Sequence, residues 1–503
     1  MFRGQWIRTL ARSWRRLAWA GLAIAFLVAA ARYPSAREAA APLRGYRAAR
    51  SIALRELYPV FAMILLVGAL AFRRARLHTI PIVYALLALY SAFVGIPFSL
   101  LDEAGHFGYA AWFLEHLRLP LTTMQLPLMP LKQLQRELGP LSNLPAAPFP
   151  FYEAVQPPLY YWLLAMAGAA VRGAHSIAVT FFAMRLASVG LVAGGLCFLI
   201  RAYRGAVLRR GLVPDDLLFG CALATLALSP QFLFVTSALT NDALAILLGS
   251  AMLDALVRLP PRASLGRRHL AVLVVLGAAL WLTKFTSLWL VALPAGILLV
   301  AGGRGLAAAY TLGVAAIVSP LHMFNYRHYH ALSGAAAHLA FVRPIVNPSG
   351  ARLTAGFLAH TNPYWFFIDL PNAWAHDLWL DLSLSLVGLS VAAGGLLCAG
   401  RAVRLFAASR ARGEPPAADG CLALLVALGV LCPLLTITAL GASSRVPMTG
   451  ARYGYLALFC SALALFEVWR TFLQERVRLQ VAATLLCATL AASAYSLGSL
   501  APS

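Results

Sequence analysis

The chain has 503 residues, 61% of them hydrophobic and 12% charged, with a mean hydropathy of +0.76. Apolar runs of about 15 to 22 residues recur along it, close to the ~20 residues that carry a helix through the hydrocarbon of a bilayer. This excludes a soluble multidomain protein and sets the expected fold class as all-α, a polytopic membrane protein. The net charge of +23 does not point to nucleic acid: the arginines gather in short clusters between apolar runs, where they set topology and meet anionic headgroups, and no basic patch interleaved with aromatics lies on a soluble domain.

In chain order, Arg8, Arg12, Arg15 and Arg16 precede an apolar run over 17–31, read as an uncleaved first helix with a cytoplasmic amino terminus. Spans follow at 58–72 and 80–100, separated by Arg73, Arg74 and Arg76 as an inside marker, so the chain emerges on the outer face at Asp102. The segment 101–176 is too rich in proline and polar residues to be one helix. Within it, 157–171 is apolar, but counting it as a span would put two arginine clusters outside, Arg201 to Arg210 and Arg258 to Arg268. A helix lying in the outer interface is therefore expected there.

The remaining spans are predicted at 180–200, 217–238, 241–257, 270–283, 286–300, 306–321, 378–399, 420–440, 453–469 and 479–498, for about 13 transmembrane helices in all. The two long loops, 101–176 and 322–377, then face outward, and the arginine groups at 304, 401–412 and 470–478 face inward. This divides the chain into an amino-terminal catalytic membrane module, 1–321, an outer loop, 322–377, and carboxy-terminal helices, 378–503. The seven cysteines fall inside predicted helices with no metal-binding spacing, as small buried hydrophobes do.

The polar residues of an apolar chain carry the chemistry. Asp102 and Glu103 stand directly against the end of the 80–100 run, and an acidic pair so close to hydrocarbon is a functional-site candidate. The stretch 102–118 reads as an amphipathic interfacial helix, with Phe107, Ala111 and Leu114 repeating on one face and Asp102, Glu103 and His106 gathered in its first turn. Capping of that helix accounts for Asp102 alone and leaves Glu103 and His106 unexplained. A second group, Phe151 to Tyr161, holds Glu153 and Gln156 just before the helix-starting Pro157 and Pro158. Asn241 and Asp242 lie in a short outer link, Lys284 in another, and Arg185, His322 and Arg452 at predicted outer helix ends, so all can serve one outer cavity. The loop residues His338, His360, Trp365, Trp374 and His376 offer aromatic faces that can stack on a ligand and polar edges that can orient it.

As an ordered set over about residues 80–300, Asp102-Glu103 with His106, then Gln156-Pro157-Pro158-Leu159-Tyr160-Tyr161, Arg185-Leu186, Asn241-Asp242 and Lys284 resemble the GT-C glycosyltransferases that use polyprenyl-phosphate sugars. Protein O-mannosyltransferases and the lipid A aminoarabinose transferase belong to that group. Gly450-Ala451-Arg452-Tyr453 resembles a late arginine-tyrosine motif of such proteins, whereas Gln156 stands where the usual motif has histidine. The resemblance implies a multi-pass protein of the bacterial cytoplasmic membrane with its active site on the outer face. It also implies an inverting transfer from a polyprenyl-phosphate-linked sugar to a glycan, lipid or protein acceptor. Asp102 would be the catalytic base with Glu103 supporting it, and Lys132 would help hold the lipid phosphate.

The chemistry agrees with the residue types. Such a transfer needs a carboxylate to take the acceptor's proton and cations to stabilise the departing phosphate, for which Lys132, Lys284 and Arg452 are candidates. His106, Glu153, Gln156, Arg185 and Asp242 are the further substrate-binding candidates. Adjacent Asp102 and Glu103 cannot flank one anomeric carbon from opposite faces, which excludes a glycosidase-like pair. Asp102, Glu103, His106 and Glu153 are also ordinary ligands for a divalent metal, but a monophosphate leaving group asks for less neutralisation than a pyrophosphate, so no cofactor is expected. The rival class is a lipid or saccharide transporter, whose mark would be charge or broken helices near the bilayer midplane in repeated halves; here the acids gather at the outer boundary.

Overall fold

The structure is a computed structural model that describes residues 77–94, 102–122, 124, 128–138, 152–171, 176–209, 214–259, 265–301, 303–332, 378–412, 418–444, 458–474, 477–486 and 489–490. The predicted spans at 17–31 and 58–72 lie outside the described residues, as do Arg452 and the loop histidines and tryptophans of 338–376. The described elements are all helical. Among them, three helices are long and apolar enough to cross a membrane: Ile177–Arg209, Arg304–Tyr329 and the stretch Leu389–Ala411.

Helix α1, Thr79–Val94, leads to α2, Glu103–His116, and α3, Leu128–Leu138. The expected interfacial amphipathic helix is α2, but it is not a surface helix. Glu103 to Ala111 are buried on every side, and the chain surfaces only in its last turn. The reason is composition: Ala104, Gly105, Gly108, Ala110 and Ala111 leave room for close approach all round the axis, as in helices that pack inside membrane bundles. The helix ends at Leu117 in a left-handed conformation, φ 52°, whose N–H bonds Phe113 O.

After a short 3-10 turn, Tyr152–Val155, comes α4, Leu159–Ala170. At 1.5 Å per residue its length is about 18 Å, against roughly 30 Å of hydrocarbon. The N–H of Leu159 bonds Leu282 O at 2.9 Å, and Gly168 lies against the Met184 and Thr180 side chains, so α4 is wedged into the bundle.

The spine is α5, Ile177–Arg209. The single span expected over 217–238 is two helices, α6, Asp216–Ala227, and α7, Pro230–Ser237. Pro230 lacks the N–H that would continue the ladder, so it opens a new helix instead. Helices α8, Asp242–Val257, α9, Arg267–Trp281, and α10, Leu288–Ala301, follow, with a 3-10 turn at Phe285–Ser287 before α10. Helix α5 packs on α8 where Gly195 meets Ile246 and the Leu247 backbone, and hydroxyl pairs tie α1 to α7: Tyr84 Oη to Thr236 Oγ1 and Ser91 Oγ to Ser237 Oγ, both at 2.7 Å.

Helix α11, Arg304–Tyr329, runs beyond its expected end at 321 despite Pro320. The proline leaves Ala316 O without its helical donor, and the Ser319 hydroxyl fills that role at 2.9 Å. Helices α12, Leu378–Ala411, α13, Ala418–Ser444, and α14, Leu458–Phe472, pack together and, through α6 and α10, onto the earlier helices.

Polar groups lie in two layers. Arg185 and Arg201 on α5 mark them, about 24 Å apart along the axis. Around Arg201, Asp254 accepts from Arg201 and Arg258, while Arg204 pairs with Asp216; the three arginines are about half exposed. Around Arg185 the charges are buried, and that layer holds the predicted site.

Candidate functional site

Asp102 precedes α2 with φ −86° and ψ −12°, and its side chain makes no cap hydrogen bond; only its carbonyl serves the helix, accepting from His106 N–H at 3.0 Å. Capping is therefore not its role. It remains partly exposed, in contrast to its neighbour.

Glu103 is fully buried and takes a bidentate pair from Arg185, Nε to Oε1 at 2.8 Å and Nη2 to Oε2 at 2.7 Å. Its Oε1 also accepts the Leu239 N–H at 2.9 Å. Arg185 Nη1 donates to Ala92 O at 2.6 Å and the guanidinium lies 4.7 Å over the Phe181 ring. One ion pair thus joins the end of α1, the start of α2, α5 and the link between α7 and α8. Its geometry is that of a clamp.

One turn on, His106 Nδ1 is 2.8 Å from the Tyr161 hydroxyl and 3.9 Å from Glu153 Oε2. Tyr161 is stacked on Tyr109 at 3.8 Å between centroids, 9° from parallel. Glu153, in the 3-10 turn, is 2% exposed and His106 3%. Asp102, His106 and Glu153 each place one donor atom within 4.8 Å of the others.

The remaining predicted residues join through hydrogen bonds. Gln156 N–H bonds Glu153 O at 2.9 Å, and its Oε1 accepts from Asn241 Nδ2 at 3.3 Å. The next residue, Asp242, accepts from Thr240 Oγ1 at 2.9 Å and from Lys284 Nζ. Lys284 follows α9 in extended backbone, held by Lys284 N–H to Leu280 O at 3.0 Å, and it too is buried.

The structure therefore arranges the predicted residues in three linked groups that adjoin along the chain: Glu103 with Arg185, Asp102, His106, Glu153, Gln156 and Asn241 together, and Asp242 with Lys284. Lys132 is in none of them: the residue sits on the exposed face of α3, and no described hydrogen bond or ion pair joins it to the site. His322 bonds Leu332 O at 2.7 Å and meets the Trp281 edge instead. Arg452 lies outside the described residues. Sequence reasoning missed Tyr109, Thr240 and the Leu239 N–H, and gave Tyr161 no role at the site. Tyr109 is three residues after His106 and so on its face, a signal that was available, and Thr240 is a local partner of Asp242; the Leu239 contact depends on the end of α7 meeting α2.

No protein-family model, no curated protein and no solved structure matches the chain.

Proposed function

We propose that this chain is a membrane glycosyltransferase of the GT-C kind, moving a sugar from a polyprenyl-phosphate donor to an acceptor hydroxyl at the outer face of the bacterial cytoplasmic membrane. The observation that carries the reading is the unlike treatment of two adjacent acids. Glu103 has both oxygens engaged by Arg185 and Leu239, whereas Asp102 stays accessible, caps nothing, and stands beside His106 and Glu153.

In the reaction, the acceptor oxygen attacks the anomeric carbon opposite the phosphate and the carbon–oxygen bond to phosphate breaks. The electron pair leaves on the phosphate oxygen, and the hydroxyl proton passes to Asp102, inverting the centre. Lys284 supplies positive charge in a buried layer, where it stabilises a phosphate more than it would in water. Arg452 is a further phosphate partner by resemblance. Support for the orientation comes from the second polar layer, whose half-exposed arginines suit the cytoplasmic interface, and from the ~24 Å of helix between the layers. About 13 spans complete the arrangement.

The test is release of polyprenyl phosphate and glycosylated acceptor by the purified chain. Asp102→Asn is expected to lower turnover by about a hundredfold to ten-thousandfold, with the melting temperature measured beside it to separate loss of the base from loss of the fold. Near-normal turnover would remove Asp102 from the base role. Movement of intact lipid-linked sugar across vesicles without bond cleavage would establish the transporter reading instead.

A further inference from the structure

We infer that Asp102, His106 and Glu153 bind one divalent transition-metal cation. What the cation does rests on the glycosyl-transfer reading above; that it binds rests on geometry and donor chemistry alone.

Asp102 and His106 are four residues apart at the head of α2 and share a face, while Glu153 arrives from the separate 3-10 turn. Their donor atoms lie within 4.8 Å of one another. Ligands about 2.0–2.2 Å from a cation stand up to roughly 4 Å apart, so small side-chain rotations close the set. Two carboxylates and an imidazole, two of the three groups almost fully buried, form a place where a cation is strongly favoured over bare charge.

A second observation concerns the surrounding shell. Metal-binding histidines are oriented by an outer partner on the ring nitrogen that does not ligate; the Tyr161 hydroxyl, fixed by stacking on Tyr109, meets His106 Nδ1 at 2.8 Å, so the cation takes Nε2. Asp102, the exposed member, supplies an entry path and an open side. The imidazole selects Zn²⁺ or Mn²⁺ over Ca²⁺ and Mg²⁺, which favour all-oxygen shells. On the open side, the cation accepts an oxygen of the donor phosphate and takes up the charge that grows as the sugar departs. This revises the sequence expectation of a cofactor-free site.

The test uses the full chain in nanodiscs, stripped with chelator and titrated with Mn²⁺ by electron paramagnetic resonance. One saturable site per chain is expected, displaced by equimolar Zn²⁺ and retained in excess Mg²⁺. His106→Ala and Glu153→Gln should each weaken Mn²⁺ binding by about tenfold or more, and the exposed His116→Ala should leave it unchanged. Tyr161→Phe, which deletes one hydroxyl, should weaken binding about tenfold and serves if the ligand variants fail to fold. Absence of saturable binding by the wild type, or unchanged affinity in the folded variants, overturns the inference. Undiminished sugar transfer by the chelator-stripped chain overturns the cation's part in the reaction and leaves the reaction standing; saturable binding lost in these variants, in a chain that transfers no sugar, upholds the site and defeats the reaction.

Discussion

Asp102 and Glu103 are neighbours with opposite surroundings, because successive residues at a helix start point about 100° apart. One side chain faces the accessible side and the other faces Arg185. The Glu103–Arg185 pair is buried on both sides, 0% and 3% exposed at the side chains, so its worth lies in what its breakage exposes rather than in its attraction. Removing one partner of such a pair costs about 3–5 kcal/mol, whereas replacing both by apolar groups is far less damaging. Glu103→Gln is thus expected to lower stability strongly, and the double change Glu103→Leu with Arg185→Met to recover part of the loss. Denaturant titration of the wild type and these two variants measures this. Equal losses in the single and double variants would mean that the Leu239 and Ala92 contacts, not the ion pair, hold the junction.

At the scale of elements, one carboxylate of α3 reaches the spine, beside the buried Leu131 and Leu134 that pack the same helix into the core. Glu137 accepts from the Ser176 hydroxyl at 2.7 Å, Ala178 N–H at 2.9 Å and Ile177 N–H at 3.3 Å, at the positive amino-terminal end of α5. Partial burial opposes its charge, but the bonds from Ala178, Ser176, Ile177 and Gln133 outweigh that and hold its carboxyl below the ordinary value. A carboxylate lowered in the folded state contributes stability that is complete above its unfolded pKa, about 4.3, and fades as the pH falls through the folded value. The melting difference between wild type and Glu137→Ala should therefore be constant above about pH 5 and shrink in acid. Its size should be small and salt-sensitive, because the group is mostly exposed. A difference that grows on acidification would refute this.

For the whole molecule, the two polar layers predict sidedness. In a cysteine-free background, a cysteine at Lys132 on the exposed face of α3 should react with an impermeant reagent from outside. One at Arg412, just past α12, should react only after the membrane is opened. Cytoplasmic reactivity at position 132 would place the Asp102 layer on the wrong side for a lipid-linked donor and defeat the proposed reaction.

From the sequence alone came the all-α class, the approximate positions of most described helices, and most of the charged residues of the candidate site. Apolar runs and rare buried charges are local signals, and a charge near hydrocarbon is so costly that its presence marks a role. The sequence could not decide the partnerships. Glu103 finds Arg185 and Leu239 N–H, and Asp242 finds Lys284, across long stretches of chain. Such contacts depend on which helices pack together, which periodicity does not encode. The same holds for α2: an apparent amphipathic pattern suggested a surface helix, yet its small residues let it sink into the bundle. Pattern describes one helix against an average environment; only the tertiary structure supplies the actual neighbours, and those neighbours separated an accessible Asp102 from a clamped Glu103.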